Sequence, residues 1–136
     1  YRNGIVEIVT LIREWNPRGK TVLPSLAFEE DVFAQTKATL KALKLIGASP
    51  PIAVMLSFTG IKGWEMGVRD AYGTRGRRGG FDRDPLLVPE LMVQSYDVDD
   101  VPRLVKPVID AAWNAAGFLQ SDYYNEDGNW VGDRGR

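Results

Sequence analysis

The sequence contains 136 residues, of which 44% are hydrophobic and 26% are charged, and 17 basic residues nearly balance 18 acidic ones. This length and composition fit one globular domain with its own core and exclude a chain that is disordered by composition. The net charge of −1 gives no global sign of binding to nucleic acid or to an anionic membrane. Cysteine and histidine are both absent, which excludes disulfides, thiolate metal sites, serine–histidine–aspartate triads, zinc hydrolase sites and histidine phosphotransfer within this chain.

The N-terminus carries a structural signal but no targeting signal. No apolar run approaches the roughly 20 residues of a membrane-spanning helix, and the features of a signal peptide are missing. We therefore expect a cytoplasmic protein with no membrane partner. Asn3-Gly4 is a hairpin-turn signal directly before the strand predicted at residues 5–12, and the incoming strand of that hairpin is missing. This pattern predicts a fragment of a larger protein, with a frayed turn at a mature N-terminus as the alternative.

The first half of the chain predicts one helix and two further strands. Ser25 can cap a helix over residues 26–46, where acidic residues near the start and lysines near the end match the helix dipole. Residues 52–58 are almost entirely apolar, which is typical of a central strand covered on both faces. Residues 64–68 alternate between apolar and polar side chains, which predicts a half-buried strand in a hairpin with residues 52–58.

The middle of the chain predicts a loop and then a strand. Residues 70–84 contain four glycines and four arginines without any apolar period, which indicates a loop. Residues 86–93 resume a strand pattern that contains Pro89. Because proline removes a ladder donor, this strand is predicted to lie at an edge or to contain a bulge.

The last third of the chain predicts a second helix and a tail. A helix over residues 101–116 can be capped by Asp99 or Asp100, and residues 121–136 are polar with a few aromatics. We expect residues 1–120 to form one domain and residues 121–136 to form a tail whose end frays. The order β-α-β-β-β-α predicts an α+β fold with a mainly antiparallel or mixed sheet and two helices on one face.

The arginine–glycine segment at residues 73–80 is the one local basic patch in the sequence. Arginine pairs with phosphate through two hydrogen bonds, glycine allows close approach of the backbone, and neighbouring aromatic rings can stack on bases. A solvated hairpin loop explains the same composition, because charge runs are usually solvated. The candidate nucleic-acid-binding residues are Arg75, Arg77, Arg78, Tyr72 and Phe81.

Acidic residues suggest two further kinds of site. Glu29 and Glu30 are adjacent carboxylates, which can act as acid and base, although the dipole of the predicted helix favours acids there without any catalytic role. The aspartates between residues 82 and 100 can be compared with cation sites, and so can Asn125, Asp127 and Gly128. Helix capping and a turn at Asp127-Gly128 account for the same residues, so we predict no metal site and no cofactor.

The four tryptophans divide into two pairs. Trp64 and Trp113 fall on predicted core faces and are expected to pack there. Trp15 and Trp130 lie near predicted loops. We therefore predict that Trp15 and Trp130 contact the missing part of the protein.

Several short motifs resemble one bacterial group, over nearly the whole chain. They are Arg2-Asn3-Gly4-Ile5-Val6-Glu7, Leu26-Ala27-Phe28-Glu29-Glu30, Ile61-Lys62-Gly63-Trp64, Leu86-Leu87-Val88-Pro89-Glu90, Trp113-Asn114-Ala115-Ala116-Gly117-Phe118 and Asp127-Gly128-Asn129-Trp130. The chain resembles the C-terminal region of bacterial DNA-binding-type proteins that carry an N-terminal Schlafen-like (AlbA-type) domain. The resemblance implies an accessory domain, and it transfers no catalytic residue because the chemistry of that group belongs to the N-terminal domain.

The sequence leads to one hypothesis and two alternatives. The first is a non-enzymatic accessory, sensor or interaction domain of a larger bacterial DNA-binding-type protein, with the missing N-terminal domain as its partner. Pairing of the N-terminal strand with a second copy would add a homodimer. The alternatives are direct nucleic-acid binding through residues 73–80 and a small hydrolase that uses acids alone.

Overall fold

The computed structural model describes residues 5–12, 19–70 and 73–135, with the backbone alone at 69–70, 73–78 and 134–135. It confirms the predicted α+β class, because two helices combine with small mixed and antiparallel sheets in the described part. In chain order the elements are β1 Val22–Pro24, α1 Ser25–Leu45, β2 Ile52–Val54, β3 Ser57–Phe58, β4 Glu65–Asp70, β5 Gly73–Gly80, β6 Leu86–Leu87, β7 Leu91–Val93, α2 Val101–Ala115 and a 3-10 turn at Gly132–Gly135.

The described strands form three small sheets instead of one larger sheet. β4 lies between β1, which runs parallel to it, and β5, which runs antiparallel to it. β2 pairs with β7, and β3 pairs with β6, both in antiparallel register. The hairpin predicted between residues 64–68 and 52–58 is therefore wrong, because the hairpin partner of β4 is β5.

Residues 52–58 do not form the central strand that their apolar run predicts. The run is divided into β2 and β3, which pair with different strands. Phe58 is buried, whereas Met55 is 75% exposed. The run borders an open groove instead of a second layer of structure, so a continuous apolar pattern here does not correspond to burial on both faces.

The glycines and arginines predicted as a loop form strand β5. Its backbone pairs with β4 from Glu65↔Gly80 to Asp70↔Gly73, and such ladder bonds require no particular side chain. Gly79 has a φ of +121°, and a Cβ at this position would lie 2.2 Å from the carbonyl oxygen of Ala116. Glycine therefore allows β5 to approach the end of α2, as glycine in a strand often does.

Both predicted helices are confirmed, with one change at a cap. The side chain of Asp100 caps α2 by accepting a hydrogen bond from the backbone nitrogen of Arg103 at 3.0 Å. Ser25 does not cap α1; its buried hydroxyl donates instead to the carbonyl oxygen of Gly67 at 2.5 Å. The two helices contact each other, and α1 also contacts β1 and β4. No helix in the described part of the chain is long and apolar enough to cross a bilayer.

The two ends of the described chain differ from expectation. Residues 5–12 belong to none of the three sheets, so the predicted strand has no ladder with any described residue. The segment after α2 packs into the core, where Ser121 and Tyr123 are fully buried. Its aromatic side chains bury apolar area there, so this segment contributes to the core although most of its residues are polar. The predicted turn at Asp127-Gly128 is present, with Gly128 at a φ of +76°.

Candidate functional site

Helix α1 presents two different faces to its surroundings. Ser25, Glu29 and Phe33 recur at intervals of four, so they share one face, which contacts α2 and the C-terminal segment. Phe28 and Val32 lie on a neighbouring face that borders the groove. We call the first site the carboxylate cluster, formed by Ser25, Glu29, Trp113, Ser121, Tyr123 and Trp130, and the second site the apolar groove.

Glu29 is the centre of the carboxylate cluster, and its side chain is completely buried. Its Oε1 atom accepts hydrogen bonds from Trp113 Nε1 at 2.8 Å and from Ser121 Oγ at 2.6 Å. Its Oε2 atom accepts a hydrogen bond from Trp130 Nε1 at 2.8 Å. One carboxyl group therefore joins α1 to α2 and, through Ser121 and Trp130, to the segment that follows α2.

Hydroxyl groups extend the cluster toward the central sheet. The hydroxyl of Ser25 lies 2.9 Å from that of Tyr123. Because Ser25 Oγ donates to the carbonyl oxygen of Gly67, the hydroxyl of Tyr123 is the donor in the contact between the two side chains. Ser121 Oγ in turn accepts a hydrogen bond from the Tyr123 backbone nitrogen at 3.1 Å.

The electrostatic surroundings of Glu29 act in opposite directions. Burial raises the pKa of its carboxyl group above the ordinary value, and the hydrogen bonds from Ser121, Trp130 and Trp113 partly offset this rise. The negative charge of Asp110 raises the pKa of Glu29 a little further. Asp110 itself is held by Lys106 Nζ at 2.5 Å and by the Ser121 backbone nitrogen at 3.0 Å.

The carboxyl group at the centre of the cluster is hydrogen-bonded through both oxygens and is closed to solvent. Across the described residues, no buried side-chain nitrogen or oxygen lacks a hydrogen-bond partner. All three groups bonded to Glu29 act as donors toward it, and an indole N–H can only donate. This arrangement can hold three segments together, but it offers no surface at which a substrate could reach the carboxyl group.

Glu29 and Glu30 do not form the acid–base pair considered from the sequence. Glu29 is fully buried, whereas Glu30 is exposed. Consecutive residues of a helix point in directions about 100° apart, so their side chains do not face each other. An acid-only catalytic centre is therefore not assembled at these two positions.

The apolar groove lies on the other face of α1 and has a volume of about 670 Å³. α1 contributes lining residues that include Phe28, Val32 and Leu40. The walls also include every residue from 51 to 58 and five residues of the segment 5–12. The groove is thus bounded by parts of the chain that are far apart in sequence, and no local sequence motif predicts it.

The walls of the groove are apolar and open to solvent. Met55 is 75% exposed, Ile5 is 55% exposed and Ile8 is 45% exposed, although all three line the groove. Of the described residues in its lining, only Asp31 is charged, and it is exposed. Apolar side chains in such numbers at a concave surface are typical of binding sites.

The predicted arginine site is only partly located by the structure. The backbones of Arg75, Arg77 and Arg78 lie in β5, and Arg75 is paired with Val68 of β4. Tyr72 lies outside the described residues, as does Trp15 of the predicted interface. Binding of nucleic acid by the three arginines stays a prediction.

Two predicted aromatic site residues are engaged inside the fold. Phe81 is only 2% exposed and stacks on Phe58 with ring centroids 6.3 Å apart, so it cannot stack on a base, and this part of the predicted site is wrong. Trp130 donates to Glu29 and meets the ring of Phe33 edge-to-face at 5.3 Å. Trp130 is nevertheless only partly buried, so its predicted contact with another part of the protein stays a prediction.

The described residues contain no group of three acidic side chains placed to hold a metal ion. Asp82 pairs with Arg83, and this contact lowers the pKa of the Asp82 carboxyl group. Asp84 accepts a hydrogen bond from the backbone nitrogen of Gly60 at 2.8 Å, and Asp100 caps α2. These aspartates therefore make turn, cap and surface contacts.

Sequence reasoning missed the groove and the centre of the cluster. Glu29 follows Ser25 by four residues and precedes Phe33 by four, so helical spacing could have placed it on an inward face. The rule that acidic residues favour the first turn of a helix obscured this position. The groove could not be found in the same way, because its walls depend on how residues 5–12 and 51–58 pack against α1.

Comparisons with known proteins give no relative for this chain: no family model, no curated protein and no solved structure matches it. The resemblance to the C-terminal region of Schlafen-like-domain proteins therefore stays a prediction.

Proposed function

We propose that this chain is a non-enzymatic interaction domain that binds an apolar partner segment in the apolar groove. The observation that carries the proposal is an open groove of about 670 Å³ whose walls expose large apolar side chains. Its volume lies within the range of roughly 300–1,000 Å³ that is usual for ligand sites. Exposed apolar surface of this kind costs free energy in water unless a partner covers it.

The carboxylate cluster supports a non-enzymatic role. Glu29 is a buried acid with a raised pKa, which can mark a catalytic group. A catalytic acid or base must come within hydrogen-bond reach of its substrate, whereas the three donors around Glu29 already occupy its oxygens. The chain also lacks histidine and cysteine, the side chains most often used for catalysis near neutral pH.

The sequence motifs support a place within a larger bacterial DNA-binding-type protein. In that setting the chain is an accessory domain, and the groove is its means of recognising another part of the protein or a separate partner. The interaction role depends on the groove alone, whereas the nature of the host protein depends on the motif resemblance. The two parts of the proposal are therefore tested separately.

The interaction role is tested with Nile red, a neutral dye whose fluorescence rises in apolar surroundings. We expect saturable binding to the full chain, and we expect Met55→Arg or Ile8→Arg to weaken it at least about ten-fold by placing a charge in a groove wall. Leu119→Arg is the matched control, because Leu119 is 96% exposed and does not line the groove. Equal binding by all three variants, or no saturable binding by the unmodified chain, would contradict the proposal.

A further inference from the structure

One wall of the apolar groove is the open edge of two strands. β2 pairs with β7 alone and β3 with β6 alone among the described strands, so each has one edge without a neighbouring described strand. The groove is lined by every residue from 51 to 58. Successive residues of a strand point to opposite faces, so a groove on one face would be lined by every second residue. Because the lining here includes every residue, we infer that the groove runs along the edge of the strands.

Backbone polar groups at this edge are directed away from the paired strand. The carbonyl oxygen of Leu56 accepts a hydrogen bond from the backbone nitrogen of Val88 at 3.0 Å, on the side of β6. In an antiparallel ladder, consecutive residues direct their N–H and C=O groups to opposite edges. The N–H and C=O groups of Ser57 therefore point away from β6, at the edge that no described strand covers, and Ser57 is one of the residues that line the groove.

The segment 5–12 contributes mainly alternate residues to the groove. The residues of this segment that line it are Ile5, Val6, Ile8, Thr10 and Ile12. Val9 does not line it and is 80% exposed. From residue 6 onward this alternation is that of an extended chain, so the groove is bordered by an extended segment as well as by the strand edge.

Charge places one further constraint on the occupant. Among the described residues that line the groove, Asp31 is the one that carries a charge. The carboxylate of Asp31 has no basic side chain within salt-bridge distance and no hydrogen-bond partner in the described part of the chain. A positive charge on the occupant would complement Asp31, whereas a negative charge would be repelled.

Building on the function proposed above, we propose that the occupant of the groove is an extended apolar peptide that carries a basic residue and adds as a strand to the edge at residues 51–58. Its backbone bonds to this edge, including the groups of Ser57. Its alternate side chains pack on Phe28 and Val32, and its basic side chain pairs with Asp31. This is strand addition, in which main-chain bonds give affinity and alternate side chains give specificity.

The test selects binders for the full chain from a phage-displayed library of random eight-residue peptides. We expect the selected peptides to alternate apolar residues and to share a lysine or arginine at one position. Asp31→Lys should weaken these peptides about five-fold, because an exposed ion pair contributes up to about 1 kcal/mol. Selection against Asp31→Lys should return peptides with an acidic residue at the same position.

A second measurement separates strand addition from simple apolar packing. Backbone N-methylation at alternate residues of a selected peptide removes its main-chain donors on one edge and leaves its side chains unchanged. We expect methylation of one alternate set to weaken binding at least about ten-fold and methylation of the other set to have a smaller effect, because only one edge of a strand faces β2 and β3.

The outcomes distinguish this inference from the function on which it rests. If Nile red binds in the groove but the library gives no binder, or gives binders that are insensitive to Asp31→Lys and to N-methylation, the strand-addition proposal is contradicted and the interaction role survives. If Nile red does not bind and selected peptides are unaffected by Met55→Arg, both proposals are contradicted.

Discussion

The two faces of α1 differ in burial and in polarity, although their side chains are only a few residues apart. On one face Glu29 is fully buried and bonded to Trp113, Ser121 and Trp130. On the other face Val32 borders an open apolar groove. Burying a carboxyl group costs free energy unless hydrogen-bond donors surround it, so the side chains on the first face can hardly be moved or replaced. Apolar packing is non-directional, so the second face can receive a partner without a complete set of bonds.

Because of this difference, one face of α1 contributes mainly to the stability of the fold and the other face mainly to binding. A change in the carboxylate cluster leaves buried donors without an acceptor and is expected to affect folding. A change at an exposed groove wall alters a surface that water already reaches, and it is expected to affect binding alone. The predictions below test this division, beginning with the largest expected effect.

Removal of the carboxyl group should cause the largest loss of stability. Glu29→Ala leaves the N–H groups of Trp113 and Trp130 and the hydroxyl of Ser121 without their acceptor, and each unsatisfied buried donor costs about 1–3 kcal/mol. We expect the free energy of unfolding, measured by urea denaturation, to fall by about 3–5 kcal/mol. Glu30→Ala is the control on the exposed neighbour and should change it by less than about 0.5 kcal/mol. Similar losses for both variants would show that the cluster does not stabilise the fold.

A smaller and more specific effect is expected from Glu29→Gln. The amide oxygen can still accept from Trp113 and Ser121, but the amide NH₂ then faces the indole N–H of Trp130, which is also a donor. We expect a loss of about 1–3 kcal/mol. Trp130→Phe removes the opposing donor, so the double variant should lose less than the sum of the two single variants. Strict additivity in this double-mutant cycle would contradict the assigned geometry.

The raised pKa of Glu29 predicts a particular dependence of stability on pH. The folded chain binds a proton at Glu29 more tightly than the unfolded chain, whose carboxyl group titrates near the ordinary value of 4.5. The stability that the unmodified chain has relative to Glu29→Gln should therefore be greatest below about pH 4.5, fall as the pH rises through the raised pKa, and then level off. Urea denaturation of both proteins across this interval measures the difference. A stability difference that grows with pH would mean that the hydrogen bonds lower the pKa of Glu29 by more than burial raises it.

The sequence predicted the parts of this molecule that local patterns control. The spacing of apolar residues located both helices, and the cap at Asp100 and the turn at Asp127-Gly128 follow from short-range chemistry. β5 was missed because its glycines and arginines carry no strand pattern, and its pairing with β4 and the contact of Gly79 with Ala116 are tertiary. The carboxylate cluster and the apolar groove were missed for the same reason, since each joins segments that only the fold brings together.

The smallest effect is expected from the arginines of β5. Replacing Arg75, Arg77 and Arg78 together by alanine should change the free energy of unfolding by less than about 0.5 kcal/mol for each residue, because the ladder between β4 and β5 is formed by backbone groups that alanine retains. We expect neither the unmodified chain nor the triple variant to retard single- or double-stranded DNA or RNA in a gel at about 50 mM salt, where phosphate contacts are strong. Retardation that the triple variant abolishes would favour direct nucleic-acid binding over the interaction role.

The most direct test of the division between the two faces is a proton–nitrogen correlation spectrum of the full chain during titration with Nile red. The indole N–H signals of Trp113 and Trp130 report on the carboxylate cluster, and the backbone signals of Val32 and Met55 report on the groove. We predict progressive, saturable shifts at Val32 and Met55 while both indole signals stay in place. Shifts at the two indoles without shifts at the groove would contradict this account, because the closed face of α1 would then be the one that binds.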